Sequence, residues 1–254
     1  MTKGRHLTRL RVDTVPSPQR ARRAAEMLVC VGLGLFAIGI LVGLLIVGRH
    51  GGGPIQAWDD SVERWFPAHR GPLVGVSRLV ATYLNVVPLG AICLTLTATL
   101  AFTLRTIRAI VPLVAYAGAE LEVVLLHAIV VRPRPSTAHY PAAGALRGMR
   151  ANGYSFPSGH CLDVSAVLFA LLGTLALTHS TWWPWLLAVL GSAFVAETRL
   201  VLGVHWLSDV VFGVLLGAAW GVTVAVVAHD LEWADVLAGD RHSRSRGVGE
   251  GPSG

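Results

Sequence analysis

Charged side chains are scarce in this sequence. Only 14% of its 254 residues are charged, whereas 53% are hydrophobic, and the mean hydropathy is +0.58. A soluble domain carries about 25% charged residues, so a soluble globular class is excluded. The long apolar runs instead predict a polytopic membrane protein. The formal net charge of +6 is then better explained by arginines that flank membrane segments than by nucleic-acid binding.

Cysteine is also rare, and its placement argues against two further classes. Cys30, Cys93 and Cys161 lie in or beside apolar runs, their number is odd, and no CxxC pair is present. Neither a disulfide framework nor a structural zinc site fits this pattern. We expect no cofactor.

The chain divides into a basic tail, a membrane domain and a polar tail. Residues 1–26 are rich in arginine, which predicts a disordered tail, and residues 230–254 are rich in Arg, Gly and Ser, which predicts a flexible one. Residues 27–229 hold the apolar runs. We expect an all-α bundle of six membrane helices near residues 27–48, 86–104, 109–131, 160–178, 183–202 and 206–228.

The segment after the first predicted span favours a helix that lies in the membrane interface. Ile55, Trp58, Val62 and Trp65 share one helical face, and the charged residues of the segment lie elsewhere. An ordinary connecting loop is the alternative.

Six spans place both tails on one side of the membrane. The N-terminal tail, the turn at residues 105–108 and the C-terminal tail hold seven, two and three Lys or Arg residues, against nine on the other side. Several of those nine fall in the motifs described next, so the bias favours cytoplasmic tails. We therefore expect a multi-pass cell-membrane protein.

On this topology three polar clusters face outside. They are HAIVVRPRP at residues 127–135, PSGH at residues 157–160 and TRLVLGVHWLSD at residues 198–209. In the second cluster, Ser158 is expected to cap a helix through its hydroxyl, and Gly159 allows close approach of a ligand to the backbone. The N–H groups of that first turn favour an anion. A plain helix cap is the alternative.

The third cluster pairs a histidine with a carboxylate. His205 and Asp209 are four residues apart and share a helical face. A carboxylate there can keep one imidazole nitrogen protonated and leave the other with a free lone pair, as a nucleophile or base requires. Arg199 is a planar donor suited to phosphate. A structural His–Asp pair, or a metal-chelating pair, remains an alternative.

In the first cluster, Pro133 and Pro135 fix the chain and end the third predicted span. Arg132 and Arg134 add two cations there. An arginine at the end of a span often only reaches the lipid headgroups, and that interpretation fits Arg132.

Together the three clusters resemble the signature of the type 2 phosphatidic acid phosphatase (PAP2) superfamily. That signature is Lys-x6-Arg-Pro, then Pro-Ser-Gly-His, then Ser-Arg-x5-His-x3-Asp. The second element is complete here, the third has Thr198 in place of Ser, and the first matches at Arg134 and Pro135 with His127 at the lysine position. Order and spacing are intact from about the second predicted span to the sixth.

The resemblance implies a six-helix bundle, a metal-independent phosphohydrolase and a role for each motif residue. His205 would attack phosphorus to form a phosphohistidine, Asp209 would orient it, and His160 would protonate the leaving oxygen. The phosphoryl oxygens would be held by Arg134, Arg199, Ser158 and the Gly159 N–H. His127, whose side-chain type changes charge near neutral pH, would supply the missing cation when phosphate binds.

Some polar residues outside the signature are ambiguous. Asp163 lies one turn after His160 and either contacts it or faces a wet cavity. Arg147 and Arg150 either meet a headgroup or are solvated. Glu120 and Glu122 lie within the third predicted span, where carboxylates are costly and usually functional or paired, and Glu120 is too far from His127 for contact.

These observations predict an integral-membrane phosphatase with an amphiphilic lipid phosphate as its partner. Polyprenyl diphosphate is favoured over phosphatidic acid and phosphatidylglycerophosphate. A soluble haloperoxidase shares the motifs but not six spans. A catalytically inactive relative that binds or moves lipids is the alternative, and the His127 departure is its support.

Overall fold

A computed structural model describes residues 17–69, 71–104, 106–135 and 153–247 of this chain. The described residues form eight α-helices. They are α1 (Pro18–Val42), α2 (Gln56–His69), α3 (Leu73–Tyr83), α4 (Val86–Leu104), α5 (Val111–Ile129), α6 (Gly159–His179), α7 (Trp183–Val201) and α8 (Leu207–Gly247). A π-helical turn, Gly43–Val47, continues α1, and a 3₁₀ turn, Ile107–Ile110, precedes α5.

Six of the helical segments are long and apolar enough to cross a membrane. They are Pro18–Val47, Val86–Thr103, Arg108–Ile129, Gly159–His179, Trp183–Val201 and Leu207–Leu231. The six-span, all-α prediction is therefore confirmed, and each predicted span overlaps one of these segments.

The two outer helices are longer than the sequence suggested. α1 begins at Pro18, inside the stretch expected to be a disordered tail, and α8 continues to Gly247, inside the stretch expected to be flexible. Proline is favoured in the first helical turn because a backbone N–H at that position would have no partner within the helix. Arg22 also pairs with Glu26, one turn later, at 2.8 Å.

The expected interfacial helix is present as α2, and its exposed and buried side chains lie on different faces. Trp58 is 71% exposed and Trp65 is 53% exposed, whereas Asp59 is buried. The two tryptophans therefore point away from the bundle, as an interfacial helix requires, and Asp59 points into it.

Helix α3 was not predicted. Leu73–Tyr83 is an apolar helix too short to span a bilayer, and it packs against α7. The apolar sequence from Leu73 to Leu104 is interrupted at Asn85 and Pro88, and only the part after the interruption is long enough to predict a span.

The bundle is built around α6, which packs against α5, α7 and α8. Three glycines of α8 at four-residue spacing face α6, and side chains there would meet backbone. A Cβ at Gly213, Gly217 or Gly221 would lie 2.9, 2.2 or 2.4 Å from the carbonyl oxygen of Ser158, Leu162 or Ala166. Small residues at this spacing allow membrane helices to approach closely. This approach brings the start of α8 against the start of α6.

We predict that Gly217→Ala destabilises the bundle. The added methyl group would force α6 and α8 apart, at an overpacking cost of about 1–3 kcal/mol, which lowers the midpoint of thermal unfolding by about 2–10 °C. The matched control is Gly34→Ala in α1, where an added Cβ meets nothing within 4 Å and the better helix propensity of alanine is the main effect. Equal midpoints for the two variants in detergent would contradict the close α6–α8 contact.

Candidate active site

The three sequence clusters converge at one end of the bundle. The segment after α5 meets the turn before α6 through a hydrogen bond from the Ser155 N–H to the Arg132 carbonyl, at 2.9 Å. That turn meets α8 through a bond of 3.0 Å from the Ser158 N–H to the Asp209 carbonyl. Backbone contacts therefore bring the motif residues together without depending on long side chains.

His205 lies at the centre of this arrangement and is buried. Its Nδ1 is 2.9 Å from the Ser155 carbonyl oxygen, and its Nε2 is 2.9 Å from Nη1 of Arg134. A carbonyl only accepts and a guanidinium only donates. Nδ1 therefore carries the proton, and Nε2 presents a lone pair towards the arginine.

Arg134 is held by backbone carbonyls around His205. Nη1 also donates to the Val204 carbonyl at 2.8 Å, and Nε and Nη2 donate to the Gly153 and Tyr154 carbonyls at 3.1 Å each. The guanidinium plane is thus fixed beside the imidazole lone pair. A cation in this position is suited to an anion that approaches Nε2.

Asp209 does not make the direct hydrogen bond to His205 that its spacing suggested. Its Oδ2 is 3.7 Å from His205 Nδ1, and the Nδ1–H donates its hydrogen bond to the Ser155 carbonyl instead. Oδ2 accepts from the Ser155 hydroxyl and, at 2.9 Å, from the Trp206 N–H. Asp209 therefore contacts His205 through Ser155, which the sequence analysis did not identify.

Arg132 is not a headgroup-facing arginine, so that interpretation was wrong. Its side chain is 1% exposed and lies between two carboxylates. Nη2 donates to Asp59 at 2.6 Å and to Gln56 at 2.9 Å, and Nη1 donates to Asp209 at 2.7 Å and to Ser208 at 2.8 Å. A buried cation needs such partners, and they come from α2 and α8.

Asp59 completes this network and is another site residue that the sequence analysis missed. It accepts from the Ser208 N–H at 2.8 Å and from the Ser208 hydroxyl at 2.7 Å. It therefore binds the N-terminus of α8, where a carboxylate is favoured. The available signal for Asp59 was a carboxylate on the same predicted interfacial helix as two tryptophans. Its partner Arg132 could not be identified from the sequence because it is 73 residues away.

His160 and Arg199 both contact the unpredicted helix α3. Nε2 of His160 is 3.3 Å from the Ala81 carbonyl oxygen, and Nη2 of Arg199 donates to the Ser77 carbonyl at 3.1 Å. Both side chains are buried. Helix α3 thus lies across the face on which two of the motif residues are found.

Ser158 and Gly159 begin α6 as expected, but the serine hydroxyl does not cap the helix. The hydroxyl is buried and makes no hydrogen bond of ordinary geometry within the described residues. His127 approaches the same turn, and its Nε2 lies 3.0 Å from the Pro157 carbonyl oxygen. The imidazole therefore donates to the backbone of the Pro-Ser-Gly-His turn.

The structure describes Asp163 and Glu122, two of the remaining candidates. Asp163 is buried in the first turns of α6, and Glu122 is buried in α5. Arg147 and Arg150 lie outside the described residues. No group of three or more His, Cys, Asp or Glu side chains that could hold a metal ion occurs in the described ranges.

Two proteins of assigned activity are similar to parts of this chain. An undecaprenyl-diphosphatase from Sulfolobus acidocaldarius is 43% identical over 65 residues, which is 26% of this chain and 29% of that protein. A lipid A 4'-phosphatase from Bacteroides thetaiotaomicron is 33% identical over 109 residues, which is 42% of this chain and 47% of that protein. The matches span less than half the length of either relative.

A solved structure has the same fold. It is a transmembrane PAP2-type phosphatidylglycerolphosphate phosphatase from Bacillus subtilis, with a TM-score of 0.62, 21% identity and coverage of 76% of this chain and 93% of that one. The family model for the PAP2 superfamily matches residues 108–233, which run from the start of the third span to the end of the sixth and include all three clusters. On its motifs, its helical architecture and this match, the chain belongs to the PAP2 superfamily.

Proposed function

We propose that the protein is an integral-membrane phosphatase that hydrolyses an amphiphilic lipid phosphate or diphosphate through a phosphohistidine. One observation carries the proposal. The His205 imidazole has its proton on Nδ1, at the Ser155 carbonyl, and its Nε2 lone pair beside the Arg134 guanidinium. That arrangement is what a histidine nucleophile needs in front of a phosphoryl group.

In the proposed first step, Nε2 of His205 attacks the terminal phosphorus, and the bond from that phosphorus to the leaving oxygen breaks. The leaving oxygen is the lipid oxygen of a monophosphate or the bridging oxygen of a diphosphate. Arg134 and Arg199 hold the phosphoryl oxygens together with the Ser158 hydroxyl and the Gly159 N–H, because phosphoryl transfer depends on positioning and charge stabilisation. His160 gives its proton to the leaving oxygen, which departs as the lipid alcohol, or as the lipid monophosphate when a diphosphate is cleaved.

In the second step, water attacks the phosphohistidine and inorganic phosphate leaves. His160 now takes the proton of that water, which returns it to its starting form. His205 regains its neutral state with the proton still on Nδ1. No metal ion enters either step.

The contacts with α3 define a resting arrangement for the site. The Ser77 carbonyl accepts from Arg199 and the Ala81 carbonyl accepts from His160. A bound phosphate would replace these neutral acceptors, since an anion attracts the guanidinium more strongly than a carbonyl dipole does. We therefore propose that α3 shifts when substrate binds.

The substrate class follows from the membrane setting. A site at one end of an apolar bundle, beside an interfacial helix with exposed tryptophans, accepts a phosphate whose hydrocarbon tail remains in the bilayer. Among the candidates we favour a polyprenyl diphosphate, and the similarity to an undecaprenyl-diphosphatase supports this choice. Phosphatidic acid and phosphatidylglycerophosphate are the other candidates. An inactive lipid-binding relative is the competing function.

We propose that the tails are cytoplasmic and that the site faces outside, on the arginine distribution. Hydrolysis of a short-chain, membrane-impermeant substrate by sealed right-side-out vesicles would support this sidedness. Activity that appears only after the vesicles are opened would contradict it.

The first functional prediction concerns the nucleophile. Purified protein should release phosphate from a panel of lipid phosphates in the presence of EDTA. With labelled substrate, His160→Ala should still form the phosphoenzyme slowly when the leaving group is good, because its acid is lost but its nucleophile remains. His205→Ala should form none.

The matched control is His179→Ala, at the exposed far end of α6, which should behave as wild type. Label that persists in His205→Ala would overturn the assignment of the nucleophile. A folded protein that binds the panel but releases no phosphate would favour the inactive relative.

The second functional prediction concerns His127. We propose that it acts by holding the Pro157 carbonyl and not by supplying a positive charge. His127→Gln, which can donate the same hydrogen bond without charge, should keep at least about half of kcat/KM. His127→Ala should lose about tenfold, the upper range for one neutral hydrogen bond. If His127→Lys is active and His127→Gln is as poor as alanine, the charge is what matters.

A further inference from the structure

A groove within the membrane region lies apart from the candidate active site. It has a volume of about 270 Å³ and lies between α1, α5 and α8. Its lining includes Leu28, Gly32 and Phe36 of α1, Gly118 and Glu122 of α5, and Trp220 of α8. The volume is just below the range of ligand pockets, about 300–1,000 Å³.

The Trp220 ring forms the floor of the groove, and Gly118 makes room for it. A Cβ at Gly118 would lie 2.3 Å from the Trp220 ring, so only glycine allows the indole to rest on the α5 backbone. The indole N–H donates to the Ala115 carbonyl at 3.0 Å, which fixes the ring as the floor. On α1, a Cβ at Gly32 would lie 3.6 Å from the same ring, which is ordinary van der Waals contact. Leu33 and Leu121 at the rim are exposed, so the groove opens towards the lipid.

Glu122 is the one acidic side chain in this otherwise apolar lining. It is 6% exposed, and its Oε1 is buried without a hydrogen-bond partner among the described residues. A polar group buried without a partner is costly, and more so in a membrane. Glu122 lies seven residues before the end of α5. By helical rise, it is about 10 Å from the end of the bundle that holds the candidate active site.

We propose that this groove binds a neutral long-chain lipid alcohol, with the hydroxyl group on Glu122 and the hydrocarbon chain along the apolar walls. An alcohol can hydrogen-bond to either form of the carboxyl group, because the carboxylate accepts and the carboxylic acid both donates and accepts. A plain acyl chain would leave Oε1 without a partner.

Charged lipids fit this position poorly. A phosphate would have to enter hydrocarbon beside a carboxyl group, and burying an ion costs far more than burying a hydroxyl. An ammonium headgroup meets the same penalty on the way in. The groove therefore selects for the alcohol class. Hydrolysis of a lipid monophosphate such as phosphatidic acid leaves this class in the bilayer, whereas a polyprenyl diphosphate leaves a monophosphate, which the groove excludes. The link to a hydrolysis product rests on the proposed function.

Photocrosslinking of the full chain in lipid nanodiscs tests the groove. The probe is a diacylglycerol with a diazirine on one acyl chain, compared with an analogue in which hydrogen replaces the hydroxyl and with the corresponding phosphate. We expect the alcohol probe to label α1 and α5 peptides that line the groove. The other two probes should label them weakly, with the phosphate probe tested on His205→Ala protein to prevent turnover.

Variants distinguish the contribution of the Glu122 carboxyl group to binding from that of the shape of the groove. Glu122→Leu should reduce labelling by the alcohol about fivefold, the effect of one lost hydrogen bond, and Glu122→Gln should stay within about twofold of wild type because an amide also hydrogen-bonds. Gly32→Phe should abolish labelling by filling the groove. Val124→Leu, on the exposed face of α5 outside the groove, should change nothing.

Equal labelling by the alcohol and its deoxy analogue, or undiminished labelling of Glu122→Leu, would overturn the groove proposal. Lipid phosphate hydrolysis by the same preparations is scored separately. If the protein hydrolyses lipid phosphates but its labelling by the alcohol does not depend on Glu122, only the groove proposal is wrong. If the protein binds the alcohol but hydrolyses no lipid phosphate, the proposed function and the identification of the alcohol as its product are wrong, and the proposal that the groove binds an alcohol is supported.

Discussion

The arrangement of this site depends on one buried cation. Arg132 lies where the chain leaves the third span, and its guanidinium bridges Asp59 of the interfacial helix and Asp209 of the last span at 2.6 and 2.7 Å. Each ion would be costly to bury alone, and removal of one partner from a buried pair typically costs about 3–5 kcal/mol. The three segments are therefore constrained to meet at one place, and a polar site can exist at the end of an apolar bundle.

The constraint extends from Arg132 to the reactive nitrogen. Arg132 fixes one oxygen of Asp209, and the other oxygen accepts from the Ser155 hydroxyl. The Ser155 carbonyl in turn accepts the Nδ1 proton of His205. In this chain of contacts the carboxylate orients the imidazole indirectly, and Nε2 is left facing Arg134. Helix–helix packing supports the same geometry. The three glycines of α8 that face α6 let Asp209 approach the turn that begins α6.

Much of this architecture could be predicted from the sequence, because hydropathy over a span and short motifs are local signals. The six spans, the interfacial helix and the convergence of three motifs follow from them. Contacts that depend on distant residues could not be predicted. Arg132 resembled a headgroup-facing arginine because its partner Asp59 belongs to another helix, and the four-residue spacing of His205 and Asp209 did not reveal the Ser155 carbonyl between them. Helix α3 was missed because its 11 residues, which precede the break at Asn85, are too few to predict a span.

The buried network holds His205 with its proton on Nδ1. The most direct test is ¹⁵N NMR of histidine-labelled protein without substrate, with the His205 signals assigned by comparison with His205→Ala. We predict a protonated Nδ1 and an unprotonated Nε2 in the wild type, and loss of this single tautomer in Arg132→Gln. A wild-type imidazole protonated on Nε2, or the same tautomer in both proteins, would contradict the account.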